Sequence, residues 1–157
     1  LNNYGPDEGL WQTLSAQVES GGMQEAIKYH GQILGQQKQE AFKHHQFLVE
    51  HSSNEGMATS VAQAMQNGLV CFMTPGGEIR YYASYYARDM DNSVFTNIAD
   101  PEAWKQSLDK IAKCIAKPDL YQRVSENAFS RFKGVELYGD SCMPLSKRCC
   151  TDRWFIV

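Results

Sequence analysis

Apolar residues along the chain fall at helix spacing in some segments and in short unbroken runs in others. After Gly5-Pro6, the positions Leu10, Trp11, Leu14 and Val18 predict a helix over Asp7 to Glu19, stopped by Ser20-Gly21-Gly22. Ala26 to Tyr29 reads as a short strand closed by His30-Gly31. Gln36 to His45 is polar with Ala41 and Phe42 turned inward, an amphipathic helix. Phe47-Leu48-Val49 is a buried strand too short to alternate. A polar loop, His51 to Gly56, leads to a helix over Thr59 to Asn67 with Val61, Ala64 and Met65 on one face. Gly68 is placed to cap it in the left-handed region. Leu69 to Met73 is the next strand and Thr74-Pro75-Gly76-Gly77 a turn; Ile79 to Ala87 is an aromatic-rich helix candidate and Ser93 to Thr96 a strand. Asp100-Pro101-Glu102 opens a helix carrying Trp104, Leu108, Ile111 and Ile115, since Asp caps, Pro suits the first turn and Glu suits its dipole. Pro118-Asp119 opens another, with Leu120, Val124, Ala128 and Phe129.

Helix and short apolar strand alternate with brief connections. That order predicts an α/β fold, a Rossmann-like parallel sheet with helices on both faces. The pattern supports one domain over residues 1–133. It fails from Gly134 onward, where Cys142-Met143-Pro144 breaks any helix and Trp154 to Val157 is apolar without a visible partner, so 134–157 is an unassigned extension. Leu1 to Asp7 reads as the end of a strand and a turn.

With 157 residues the chain has the length of one domain that can bury a core. A net charge of -3 without a basic block argues against a broad nucleic-acid or anionic-membrane surface, although phosphate can still be held by backbone N–H groups. The five cysteines match no zinc spacing and read as reduced thiols of an intracellular protein, Cys71 as a core residue. No apolar run approaches the roughly 20 residues of a membrane span, and no signal peptide opens the chain. His30, His44, His45 and His51 do not form a metal set.

Ligands of open parallel sheets bind at the carboxyl ends of the strands. The loop Ser52 to Thr59 occupies such a place, before a helix whose free N–H groups and positive dipole end suit a diphosphate. Gly56 allows close approach, and Thr59 and Ser60 add hydroxyls. On spacing alone, a plain strand–loop–helix capped by Asn54 or Thr59 explains these residues as well. Glu55 would repel phosphate there unless it faces something else, such as sugar hydroxyls; alone it is an ordinary surface charge. Gly76-Gly77 is a second close-approach site or a simple turn. Tyr81, Tyr82, Tyr85 and Tyr86 are stacking surfaces or a helix flank packed on the sheet.

The stretch from Ser53-Asn54-Glu55-Gly56-Met57 through Gln63-Ala64-Met65 to Gly68-Leu69-Val70 resembles the signature of the retaining family-four glycosyltransferases of the GT-B fold. Flanking segments agree: Tyr4-Gly5-Pro6, Lys28 to Ile33, Phe47-Leu48-Val49, Gly76-Gly77-Glu78-Ile79, Asp100-Pro101-Glu102 and Lys117-Pro118. The resemblance covers residues 1 to 133 and implies the carboxyl-terminal half of that fold, which binds a UDP- or GDP-linked sugar. It implies that Glu55 faces the transferred sugar as the catalytic carboxylate. Gly56, Met57, Ala58, Thr59 and Ser60 would cradle sugar and diphosphate, and the Gly31-Gln32-Ile33 turn would edge the base. It implies no metal and no cofactor.

Where the family carries a second glutamate for the ribose hydroxyls, this chain has Gln63. A hydrogen bond to a charged group contributes about 1.5–3 kcal/mol and a neutral one about 0.5–1.5, so ribose binding is expected to weaken by roughly 1 kcal/mol. The family's phosphate-binding Arg and Lys would lie upstream of Leu1, as would the acceptor-binding amino-terminal domain that partners this half. The resemblance therefore implies part of a longer enzyme that moves a sugar to a glycan or lipid-linked acceptor in polysaccharide or glycolipid assembly. That enzyme would act in the cytoplasm or peripherally at the inner membrane face, and this portion would be inactive by itself. Two rival readings are a non-catalytic nucleotide-sugar-binding or scaffold module of the same fold, and another GT-B activity such as a nucleotide-sugar epimerase, for which no acid/base carboxylates stand out.

Overall fold

The computed structural model describes residues 1–51, 59–74, 88–97 and 99–134, and the backbone of 154–156. Among the described residues six strands form one sheet: β1 Asn2–Asn3, β2 Lys28–Tyr29, β3 Phe47–Glu50, β4 Val70–Met73, β5 Val94–Phe95 and β6 Trp154–Ile156. The helices among the described residues are α1 Leu10–Ser20, α2 Gly35–His44, α3 Thr59–Gln66, α4 Pro101–Ala116 and α5 Pro118–Phe132.

The strand order is β2-β1-β6-β3-β4-β5, and every pairing is parallel. From β1 the chain moves outward to β2; from β3 it moves outward the other way, to β4 and β5. The direction of winding reverses between β1 and β3, and β6 fills that place, with Phe155 opposite Asn2 on one side and Leu48 on the other.

Alternation along β3 and β4 sends side chains to both faces, and each face has its own core. Leu48, Cys71 and Met73 pack with Phe42 of α2 and with Val61, Ala64 and Met65 of α3. Phe47, Val70 and Phe72 pack on the opposite face with Val94, with Cys114 of α4 and with Tyr121 and Val124 of α5. Phe47 stacks on Phe72 with ring centroids 5.3 Å apart.

Helix α3 ends in a Schellman motif: Gly68 has φ 72°, its N–H donates to the Met65 carbonyl at 2.9 Å, and the Leu69 N–H donates to the Ala64 carbonyl at 3.0 Å. Asp100 caps α4, Oδ1 accepting from the N–H groups of Glu102 and Ala103 at 2.9 and 3.4 Å. Helix α1 starts later than its apolar pattern predicts. Gly9 takes φ 91°, and the Asp7 carboxylate accepts from Gly9 and Trp11 N–H in front of the first turn. Its apolar stripe also stays largely uncovered: only Val18 is buried, while Leu10 is 77% exposed. The cause is local. Strands β1 and β2 are two residues each and offer little surface to pack against.

Candidate functional site

Strand β3 ends at Glu50, and α3 begins at Thr59 on its way to the neighbouring β4. The end of β3 and the start of α3 therefore lie at the carboxyl edge of the sheet. Glu55, Gly56, Met57 and Ala58 fall outside the described residues, as do Gly76-Gly77 and the tyrosines between 81 and 86. The start of α3 is described. Burial of Val61, Ala62, Ala64 and Met65 fixes the helix on the sheet and leaves Thr59 exposed and Ser60 half-buried. Gln63, one turn on from Ser60, is also half-buried, and its amide oxygen Oε1 is enclosed with no hydrogen-bond partner.

The structure adds a residue that the sequence reading passed over. Lys38 of α2 reaches across to α3, and its Nζ donates to Ser60 Oγ at 3.0 Å. The ammonium lies 5.7 Å from the centre of the Phe42 ring, and burial lowers its pKa. The available signal was its spacing: Lys38 stands four positions before Phe42, which puts both on one helix face.

Ile33 is half-buried and packs against the core cluster that contains Phe42 and Leu48. The adjoining turn is fixed by Gly31, at φ 72°, whose carbonyl accepts from Gly5 N–H at 3.1 Å.

Farther along the same edge, His51 follows β3 and lies 2.7 Å (Nε2) from Oγ1 of buried Thr96, with its ring edge-on to Trp104. Burial pushes the imidazole pKa down, which favours the neutral ring. The Thr74 hydroxyl is enclosed without a partner beside a cavity of about 390 Å³, also lined by Thr96, Asn97, Ser107 and Lys110. The other histidines are engaged elsewhere: His30 with Asn2 and Tyr4, His45 with the Ala41 carbonyl, and His44 4.0 Å from Glu40. Cys71 and Cys114 are buried free thiols; burial pushes Cys71 far up and Cys114 to about 11, so neither is a ready nucleophile.

The described part of this edge thus offers hydroxyls, a half-buried cation and an uncommitted amide oxygen around a helix start. Such a set binds polar, anionic groups better than it performs covalent chemistry. No helix among the described residues is long and apolar enough to cross a membrane.

A family model described as glycosyl transferases group 1 matches residues 5–131. No curated protein matches the chain. Among solved structures, the chain is similar to the C-terminal domain of a glycosyl transferase group 1 family protein, LpcC, from Francisella tularensis, with TM-score 0.64 and 19% identity over 79% of this chain and 60% of that one. It is similar to a chain of the GtfA/B complex, with TM-score 0.63 and 18% identity over 84% of this chain and 26% of that one. It is also similar to AviGT4, a glycosyltransferase involved in avilamycin A biosynthesis, with TM-score 0.54 and 15% identity over 84% of this chain and 37% of that one. The chain thus covers less than two thirds of each, and at these identities the likeness is one of fold: one half of the GT-B architecture.

Proposed function

The chain belongs to the group 1 glycosyl transferases, and we propose that it is the half of a longer retaining enzyme that binds the nucleotide-diphosphate sugar. The observation that carries this reading is the start of α3 at the carboxyl edge of the sheet, with Thr59 exposed, Ser60 hydrogen-bonded to Lys38, and Gln63 Oε1 enclosed but unpartnered. First-turn N–H groups and hydroxyls can donate to phosphate or sugar oxygens, and the Gln63 amide can accept from a ribose hydroxyl. In this reading Glu55 faces the transferred sugar, and the stretch from Gly56 to Ser60 cradles sugar and diphosphate. Catalysis in this reading is electrostatic: positive groups and helix ends stabilise the leaving diphosphate. A partner domain carries the acceptor, so the isolated chain binds donor without turnover.

The test is isothermal titration of the chain with UDP, GDP and their sugars, together with Glu55→Ala in the full-length transferase. Saturable binding of one nucleotide and a collapse in transfer rate support the reading. An unchanged rate removes Glu55 from the donor site. The non-catalytic alternative is favoured by one residue, Gln63, which supplies a neutral acceptor in place of a carboxylate. It predicts that the full-length protein binds the nucleotide sugar and transfers nothing.

A further inference from the structure

Lys38 occupies a place where the protein does little to stabilise a cation. Its ammonium is half-buried, and burial works against the charged form. It hydrogen-bonds Ser60 Oγ at 3.0 Å, in the first turn of α3, where the helix dipole is positive and repels it. Among the described residues it forms no ion pair. The acidic residue nearest in its own helix, Glu40, lies 2.5 Å from Lys43 and 4.0 Å from His44. The Phe42 ring at 5.7 Å offers only partial compensation for a charge drawn out of water.

An anion bound against this turn would reverse both penalties. It would pair with the ammonium and would accept from the N–H groups that open α3. Gln63, three positions after Ser60 and on the same face, brings its unpartnered amide oxygen to the same side of the helix. That oxygen repels a phosphate oxygen but accepts from a hydroxyl, so the ligand that satisfies both carries an anion and a hydroxyl side by side. A nucleoside diphosphate has that arrangement.

We infer that Lys38 is a phosphate-holding residue of this chain, supplying from α2 the positive charge that the start of α3 needs to retain the diphosphate of a nucleotide ligand. The inference rests on the donor-binding reading above and extends it to a side chain in a different helix. Lys38 acts by charge, so arginine should replace it and an isosteric neutral side chain should not.

The experiment titrates wild type, Lys38→Met and Lys38→Arg with UDP, GDP, uridine, guanosine and inorganic pyrophosphate by calorimetry, and follows thermal unfolding with and without pyrophosphate. Lys38→Met is expected to weaken the preferred nucleoside diphosphate and pyrophosphate by about tenfold or more, as for loss of one charge-assisted hydrogen bond, while nucleoside affinity stays unchanged. Lys38→Arg should retain most of the diphosphate affinity. Without ligand, Lys38→Met should melt at or above the wild-type temperature, because a poorly compensated cation has been removed; this also shows that it folds. Pyrophosphate should raise the wild-type midpoint and raise that of Lys38→Met less at the same concentration. If wild type binds a nucleoside diphosphate and Lys38→Met binds it equally well, the role of Lys38 is refuted and the donor reading stands. If wild type binds no nucleotide and no pyrophosphate, the donor reading fails and the inference falls with it. If Lys38→Met melts well below wild type, the ammonium is a structural group paired within the protein, and the inference is wrong.

Discussion

At Gln63 an acceptor is enclosed without a donor, and such a group costs free energy that a ligand can recover. In the proposed donor site a ribose hydroxyl would be that donor. Gln63→Glu restores a charged acceptor, and titration with uridine is expected to show tighter binding by about fivefold, the equivalent of roughly 1 kcal/mol. Gln63→Leu should weaken uridine binding without lowering the melting temperature, since it removes an unpaired polar group from an enclosed place. His51 gives the second residue-scale prediction. Burial holds its folded pKa below the unfolded value near 6.5, so the unfolded chain takes up more protons below that pH. Stability is therefore full above about pH 6.5 and falls as acid forces the ring to charge beside Thr96. Melting temperatures between pH 5 and 7.5 should show this slope, and His51→Gln should flatten it. Thr59, Ser60 and Gln63 could be placed from sequence because a helix boundary announces itself locally. Lys38 could not, because its meeting with Ser60 depends on how α2 packs beside α3, and no spacing along one segment encodes that.

The elements whose ends carry their own chemistry were the readable ones. Asp100 accepts from Glu102 and Ala103 as its position before Pro101 implies, and Asp100→Ala is expected to cost about 1 kcal/mol in a denaturant titration. Gly68 takes the left-handed conformation expected of it, so Gly68→Ala should cost roughly 1–2 kcal/mol in the same measurement. Strands β3 and β4 were legible as apolar runs because both of their faces are covered by helices. Helix α1 shows the limit of periodicity. Leu10, Trp11, Leu14 and Val18 have helix spacing and form a helix, yet spacing does not state whether a neighbour exists to cover the stripe, and here β1 and β2 are too short to do so. It starts three residues after Asp7 because the Asp7 carboxylate accepts from Gly9 and Trp11 N–H while Gly9 holds the cap position.

On the scale of the whole molecule, alternation of helix and strand implies a parallel sheet, and every pairing among the described strands is parallel. The order of its strands was not legible, because pairing between distant segments leaves no local trace. In a doubly wound sheet of order 3-2-1-4-5-6 the first strand is central and the winding reverses beside it. This chain places its last strand there: β2, β1, β6, β3, β4 and β5 follow one another across the sheet. Strand β6 thus joins the outer pair β1 and β2 to the half that carries α3 and the candidate site. The pairing Leu48↔Phe155↔Asn2 is the seam. A chain stopped after Gly134 would leave one side of β1 and of β3 with unpaired backbone groups, each buried one costing about 1–3 kcal/mol. It would also expose two edges able to pair with other chains. The expected outcome is a broader, earlier unfolding transition and concentration-dependent association by size-exclusion chromatography. Phe155→Pro in the full chain removes a single ladder donor and should lower the denaturation midpoint in the same direction, with less association. Cooperative unfolding of both variants at the wild-type midpoint would show that the sheet does not need β6, and that the two halves are held together by helix packing alone.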